Sequence, residues 1–201
     1  MASLAFVLLF PIGGILIRLG SFRGLWLVHG LFQLLAYLIY IAAFGIGIYL
    51  AMNMPGELLS NSHPIIGIVL LVLLFLQPFL GLLHHVMFKK HSRRVVWSYG
   101  HIWLGRIAIT LGIINGGLGL RLARITGMGA PSDGQMVAYG VVGGVMWLAY
   151  VGAAVYGEVR RGRQSSWASP PASKERDGDV SDDATQPGAQ QGRVNQYQQY
   201  A

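Results

Sequence analysis

Apolar residues in this chain come in long, nearly unbroken runs. They show neither the strict alternation of a half-buried strand nor the three-and-four spacing of a helix lying on a soluble core. The runs fall at about residues 2–19, 24–52, 63–88, 97–123 and 134–159. An α-helix needs about 20 apolar residues to cross hydrocarbon, and about 17 is near the lower limit. The pattern therefore predicts an all-α membrane protein of five transmembrane helices in an up-down bundle. Pro55 and Gly56 punctuate the second connection and Pro131 the fourth. Pro11 and Pro78 lie inside runs, where bundle neighbours can re-satisfy the carbonyls they free. The first run starts abruptly, with no basic leader and no small-residue cleavage site, so it reads as a helix and not as a signal peptide. Ser, Asp, Gln, Gly and Pro dominate residues 160–201, which predicts a disordered tail after a membrane domain over 1–159.

Composition sharpens this picture. Of the 201 residues 53% are hydrophobic and 11% charged, against about 25% charged in a soluble domain. The absence of cysteine excludes disulfides and thiolate metal sites. A net charge of +7 could point to nucleic acid, but the basic residues sit at the ends of apolar runs, which fits a bilayer surface. Arg18 and Arg23, then Lys89, Lys90, Arg93 and Arg94, then Arg160, Arg161 and Arg163 share one face if the spans alternate; Glu57 and Asp133 mark the other, with Arg121 and Arg124 as exceptions. The positive-inside rule makes the first face cytoplasmic, with the N-terminus outside and the tail inside. No phosphate-binding glycine loop and no H-E-x-x-H motif appears, and the bundle has too few carboxylates for acid–base hydrolysis.

The histidines carry the candidate chemistry, because ionisable groups inside spans are expensive and mark functional sites. His29 and His101 each lie about one turn inside spans that start at the same face. In an up-down bundle those spans are parallel and diagonal. Two imidazoles at matched depth can clamp a haem iron from both sides; the alternative is that each merely bonds a neighbouring helix. His63 opens the third span before Pro64. His84, His85 and His91 stand near the cytoplasmic end of that span, either as interfacial residues or as contacts to a haem propionate or an acidic reductant. Lys89, Lys90, Arg93 and Arg94 are a topology signal or an anion-holding cluster. Arg106, deeper in the fourth span, either snorkels to the interface or pairs with a propionate. Gly105, Gly112, Gly116, Gly117 and Gly119, with Gly140 and Gly144 at small-xxx-small spacing, suit close helix packing or room for a flat cofactor.

Several segments together resemble the cytochrome b561 superfamily, most closely the version that follows a DOMON domain in fungal proteins. His63-Pro-Ile-Ile-Gly67 running on to Gln77-Pro-Phe-Leu-Gly81 resembles its H-x-x-x-G … Q-x-x-x-G helix. Gly100-His-Ile-Trp-Leu-Gly-Arg106 followed by Asn115-Gly-Gly-Leu-Gly-Leu120 resembles the next helix; His29-Gly30 and Phe10-Pro-Ile-Gly-Gly-Ile-Leu-Ile-Arg18 match the two before. The resemblance covers about residues 4–158. It implies a four-helix haem-binding core in which four histidines hold two b-type haems. Electrons pass from a cytoplasmic donor such as ascorbate to an outside acceptor such as ferric iron. Carried over, His29 and His101 form the cytoplasmic pair and His63 is one ligand of an outer haem. The outer partner of His63 should fall just before Met1, so the expectation is a chain truncated at its N-terminus, with one complete haem b site and an incomplete second one. The expected function is a transmembrane oxidoreductase of ascorbate- or ferric-reductase type. The alternatives are a haem-free relic or packing subunit of a membrane complex and, with no internal repeat to support it, a small transporter. The bilayer, a cytoplasmic small-molecule donor and a second copy of the chain are the expected partners; nucleic acid is not.

Overall fold

A computed structural model describes residues 1–53, 58–91, 93–127 and 129–168. The predicted Pro55–Gly56 break, Glu57 and the tail from 169 onward lie outside them. The described residues form five longer helices, α1 (Leu4–Leu19), α2 (Leu25–Asn53), α3 (Ser62–His91), α4 (Val96–Thr126) and α5 (Asp133–Ala168), and one 3-10 turn at Leu58–Ser60. The last four are long and apolar enough to cross a membrane by length and composition; α1 is a shorter apolar helix.

Local chemistry sets the ends. Gly24, at φ +77°, turns the chain from α1 into α2, a left-handed conformation that glycine adopts freely. The Asn61 side chain accepts the backbone N–H of His63 at 3.1 Å and so caps α3. Gly127 closes α4 in the left-handed conformation, with its N–H on the Arg124 carbonyl. Ser132 and Gln135 cap α5 reciprocally, each side chain accepting the other's backbone N–H at 3.2 and 2.9 Å. Arg124 then pairs with Asp133 and ties the end of α4 to the start of α5.

Two differences from the sequence expectation have physical causes. The start of α1, Leu4–Leu9, is a π-helix. It precedes Pro11, which cannot donate to Val7, and the wider turn relieves the clash a proline ring makes with the carbonyl four residues back. At the other end α5 runs past the expected boundary at 159 to Ala168, correcting the reading that the tail begins at 160. Arg160, Arg161 and Arg163 lie within the added helical turns. The Arg161 guanidinium also sits 5.9 Å over the Phe88 ring.

The helices close into a ring. α2 packs on α1 and α3, α4 packs on α3 and α5, and α5 returns to α1. The first residues of α1 reach across to α2, α4 and α5. Buried Phe6, Phe10 and Tyr40 meet there, with ring centroids about 5 Å apart. The Tyr40 hydroxyl donates to the Gly67 carbonyl at 2.7 Å and joins α2 to α3. Outside this core most large apolar side chains are exposed, as a bundle facing lipid requires.

Candidate haem site

α2 and α4 run parallel, and each carries a histidine near its start. His29 is fixed by α1: its Nδ1 lies 2.9 Å from the Gly13 carbonyl. A carbonyl only accepts, so Nδ1 carries the proton and Nε2 keeps its lone pair for a metal. His101 lies near the start of α4, at the same end of the bundle as His29 at the start of α2. Its ring rests against Gly81, where a Cβ would stand 3.1 Å from Cε1. His101 Nδ1 and Gln77 Nε2 are buried without a well-formed hydrogen bond among the described residues, although the His101 ring lies near the Gln77 backbone carbonyl. Unpartnered buried polar atoms are costly in a dry interior. A haem between the two helices fits these residues: one imidazole has its tautomer set by a backbone carbonyl, and the other has a buried nitrogen without a well-formed hydrogen bond. Gly81 supplies the notch that lets the second ring lie flat on α3.

His63 repeats the arrangement at the opposite end. Its Nδ1 lies 2.9 Å from the Asn115 carbonyl and 3.1 Å from Asn115 Oδ1 on α4. Gly119 makes room for the ring; a Cβ there would fall 2.7 Å from Cε1. His63 borders an apolar cavity of about 230 Å³ lined by Phe6, Tyr40, Phe44, Gly67 and Asn115 among others. It is the single imidazole among the described residues that line this cavity. One imidazole and an apolar hollow are therefore present, with no second histidine among the described lining residues.

The other histidines divide. The His84 ring lies nearly parallel to His101, at 8° with centroids 6.1 Å apart, and its Nδ1 is 2.7 Å from the hydroxyl of fully buried Ser98. His85 stacks on Trp26 of α2 at 4.0 Å. His91 donates to the Met87 carbonyl of its own helix. Lys89, Lys90 and Arg93 are exposed. Arg94 and Arg106 instead turn to Glu158 of α5. Arg94 Nη1 reaches Oε2 at 2.7 Å, and Arg106 Nη2 reaches Oε1 at 3.2 Å. Arg18 joins them on Oε1 at 3.2 Å. Arg106 thus has a carboxylate partner, and its guanidinium also lies 4.9 Å from the Trp103 ring centroid. Sequence reasoning missed Glu158; the signal was a lone acid near the end of the last span, opposite an excess of arginines.

The glycines of α4 are filled by side chains. A Cβ on Gly112 would collide with Phe6, one on Gly116 with Tyr139, and Gly105 faces Gln77. A Cβ on Gly140 or Gly144 would meet nothing within 4 Å, so no side chain among the described residues fills these two positions.

No protein-family model matches the chain, and no solved structure matches it. Among curated proteins, the chain is 35% identical over 153 residues to an Arabidopsis thaliana protein described as a cytochrome b561 and DOMON domain-containing protein. The match takes in 75% of this chain and 36% of that relative, so the chain spans about a third of its length. This identity over three quarters of the chain supports placing it in the cytochrome b561 superfamily.

Proposed function

We propose that the chain is a membrane electron carrier built on a b-type haem, with His29 and His101 as the axial ligands near its cytoplasmic end. The observation that carries this reading is the pair: two imidazoles near the starts of two parallel helices, one with Nε2 freed by Gly13 and the other seated on Gly81. A bis-histidine haem supplies one-electron chemistry with no open position for oxygen. The protein's own residues fix the tautomer of His29, shape the seat of His101 and keep the pair among apolar helices. The basic end receives an anionic donor of the ascorbate type, with Lys89, Lys90, Arg93, Arg94, His84 and His85 along its approach, and with Arg106 turned to Glu158 beside it. At the outer end His63 offers one ligand to a second haem, so the 201-residue chain holds one complete site. The activity this serves is ascorbate-dependent or ferric-chelate reduction across the membrane, with the N-terminus outside and the tail in the cytoplasm.

The test is haem stoichiometry on the detergent-purified chain, by pyridine haemochrome assay and reduced-minus-oxidised spectra. One b-type haem is expected. His29→Ala and His101→Ala should each abolish it, and His63→Ala should leave it. Haem retained at full stoichiometry in His101→Ala would overturn the ligand assignment. A chain that folds and binds none would instead be a packing member of a membrane complex.

A further inference from the structure

Arg18, Arg94 and Arg106 come from α1, the α3–α4 connection and α4, yet all three point at one carboxylate on α5. Formally, three positive charges meet one negative. Arg161 adds a fourth cation within interaction range of Arg94 and Glu158. Like charges gathered away from bulk water repel strongly, and such a group persists where anions occupy it. The guanidinium side chains are 18%, 11% and 23% exposed, whereas Glu158, at 36%, is the member most open to water. Each arginine reaches Glu158 through a single nitrogen and not through the two-pronged fork a guanidinium can offer. Arg94 Nε is buried with no partner among the described residues. The frame is well held: the Arg18 stem packs on Gly157, where a Cβ would lie 3.1 Å from Cδ, and Arg106 lies over Trp103. The carboxylate sits on a flexible side chain at the water-facing edge.

We propose that Glu158 is the built-in occupant of an anion site formed by Arg18, Arg94 and Arg106, and that a small anion entering from the basic end must displace it. Glu158 then sets the affinity of the site and discriminates against anions that bind more weakly than a tethered carboxylate. This rests on the reading that the basic end receives an anionic donor, and it adds the residue that competes with that donor.

Inorganic phosphate is the probe, titrated calorimetrically into the detergent-purified full chain at fixed ionic strength. Glu158→Gln keeps the side-chain shape and removes the competing charge. It should bind phosphate roughly tenfold more tightly, the scale of one lost charge-assisted competitor. Adding Arg106→Gln to that variant should erase the gain. Unchanged or weaker binding in Glu158→Gln would make Glu158 a tether for α5 and overturn the proposal. A gain that survives Arg106→Gln would place the anion elsewhere on the basic surface and overturn it equally. If the Gln variant does not fold, Glu158→Asp retracts the carboxylate by one methylene and must shift affinity in the same direction. The titration is repeated in the His101→Ala background to separate a soluble anion from a haem propionate. The same gain there supports the soluble anion; a gain confined to that background assigns the site to the propionate and overturns the proposal. None of these readouts measures haem, so absent haem and absent phosphate binding are separate failures.

Discussion

At the level of single residues, three glycines make opposite predictions from one substitution. Gly81→Ala places a methyl 3.1 Å from His101 Cε1, a distance the ring can meet only by tilting. Reduced haem retention is expected, read from Soret absorbance per chain, with unfolding in detergent easier by about 1–3 kcal/mol, the usual scale of overpacking. Gly119→Ala crowds His63 more severely, at 2.7 Å, and should destabilise the fold while leaving the haem of the His29–His101 site in place. Gly30→Ala meets nothing within 4 Å and should be neutral or slightly stabilising, since alanine is the better helix former. Equal haem loss in all three variants would show that glycine content, and not ring seating, controls the site. The histidines themselves were legible in the sequence because ionisable groups stand out in apolar runs. The notches were not, because a glycine's neighbour depends on which helices touch.

At the level of elements, hydropathy was enough to find the helices. The four long runs match α2 to α5 closely at their starts, and α3 and α4 extend only a few residues further at their ends. What hydropathy could not show was how an element is pinned. α5 is held by the Tyr139 hydroxyl on the Ile113 carbonyl at 2.6 Å, by Trp147 Nε1 on Thr110 Oγ1 at 3.2 Å, and by Glu158. These are polar contacts between residues far apart in sequence, and a one-dimensional pattern carries no trace of them. The π-helical opening of α1 was likewise invisible, although Pro11 marked its position. Tyr139→Phe deletes one tie, together with the hydroxyl that sits deepest in the Gly116 notch, and leaves the ring in place. It should lower stability by about 0.5–1.5 kcal/mol, measured by thermal unfolding in detergent, with haem content unchanged. A loss of haem would mean that α5 bears on the site more directly than these contacts indicate.

At the level of the whole molecule, the ring of helices gives the chain two unlike ends. One gathers Arg18, Arg94, Arg106, Glu158 and Arg161; the other has His63 beside its hollow and the Arg124–Asp133 pair. In the proposed topology the first end faces the cytoplasm. Because the chain has no cysteine, an introduced one is a unique reporter. Ala130→Cys should react with a membrane-impermeant maleimide on intact cells, and Arg23→Cys only after permeabilisation; both positions are exposed. The reverse pattern would invert the topology. The hydrogen bond from His29 to Gly13 has a consequence for assembly. Gly13 belongs to α1, the shortest of the five helices, while its bond is made to the proposed ligand on α2. Any molecule that binds only the properly tautomeric imidazole therefore also favours the docked position of α1, by mass action on the assembled form. Loading the cofactor would act as the last rivet of biogenesis, and a cell short of haem would be expected to accumulate chains whose first helix is still loose and open to quality-control proteases.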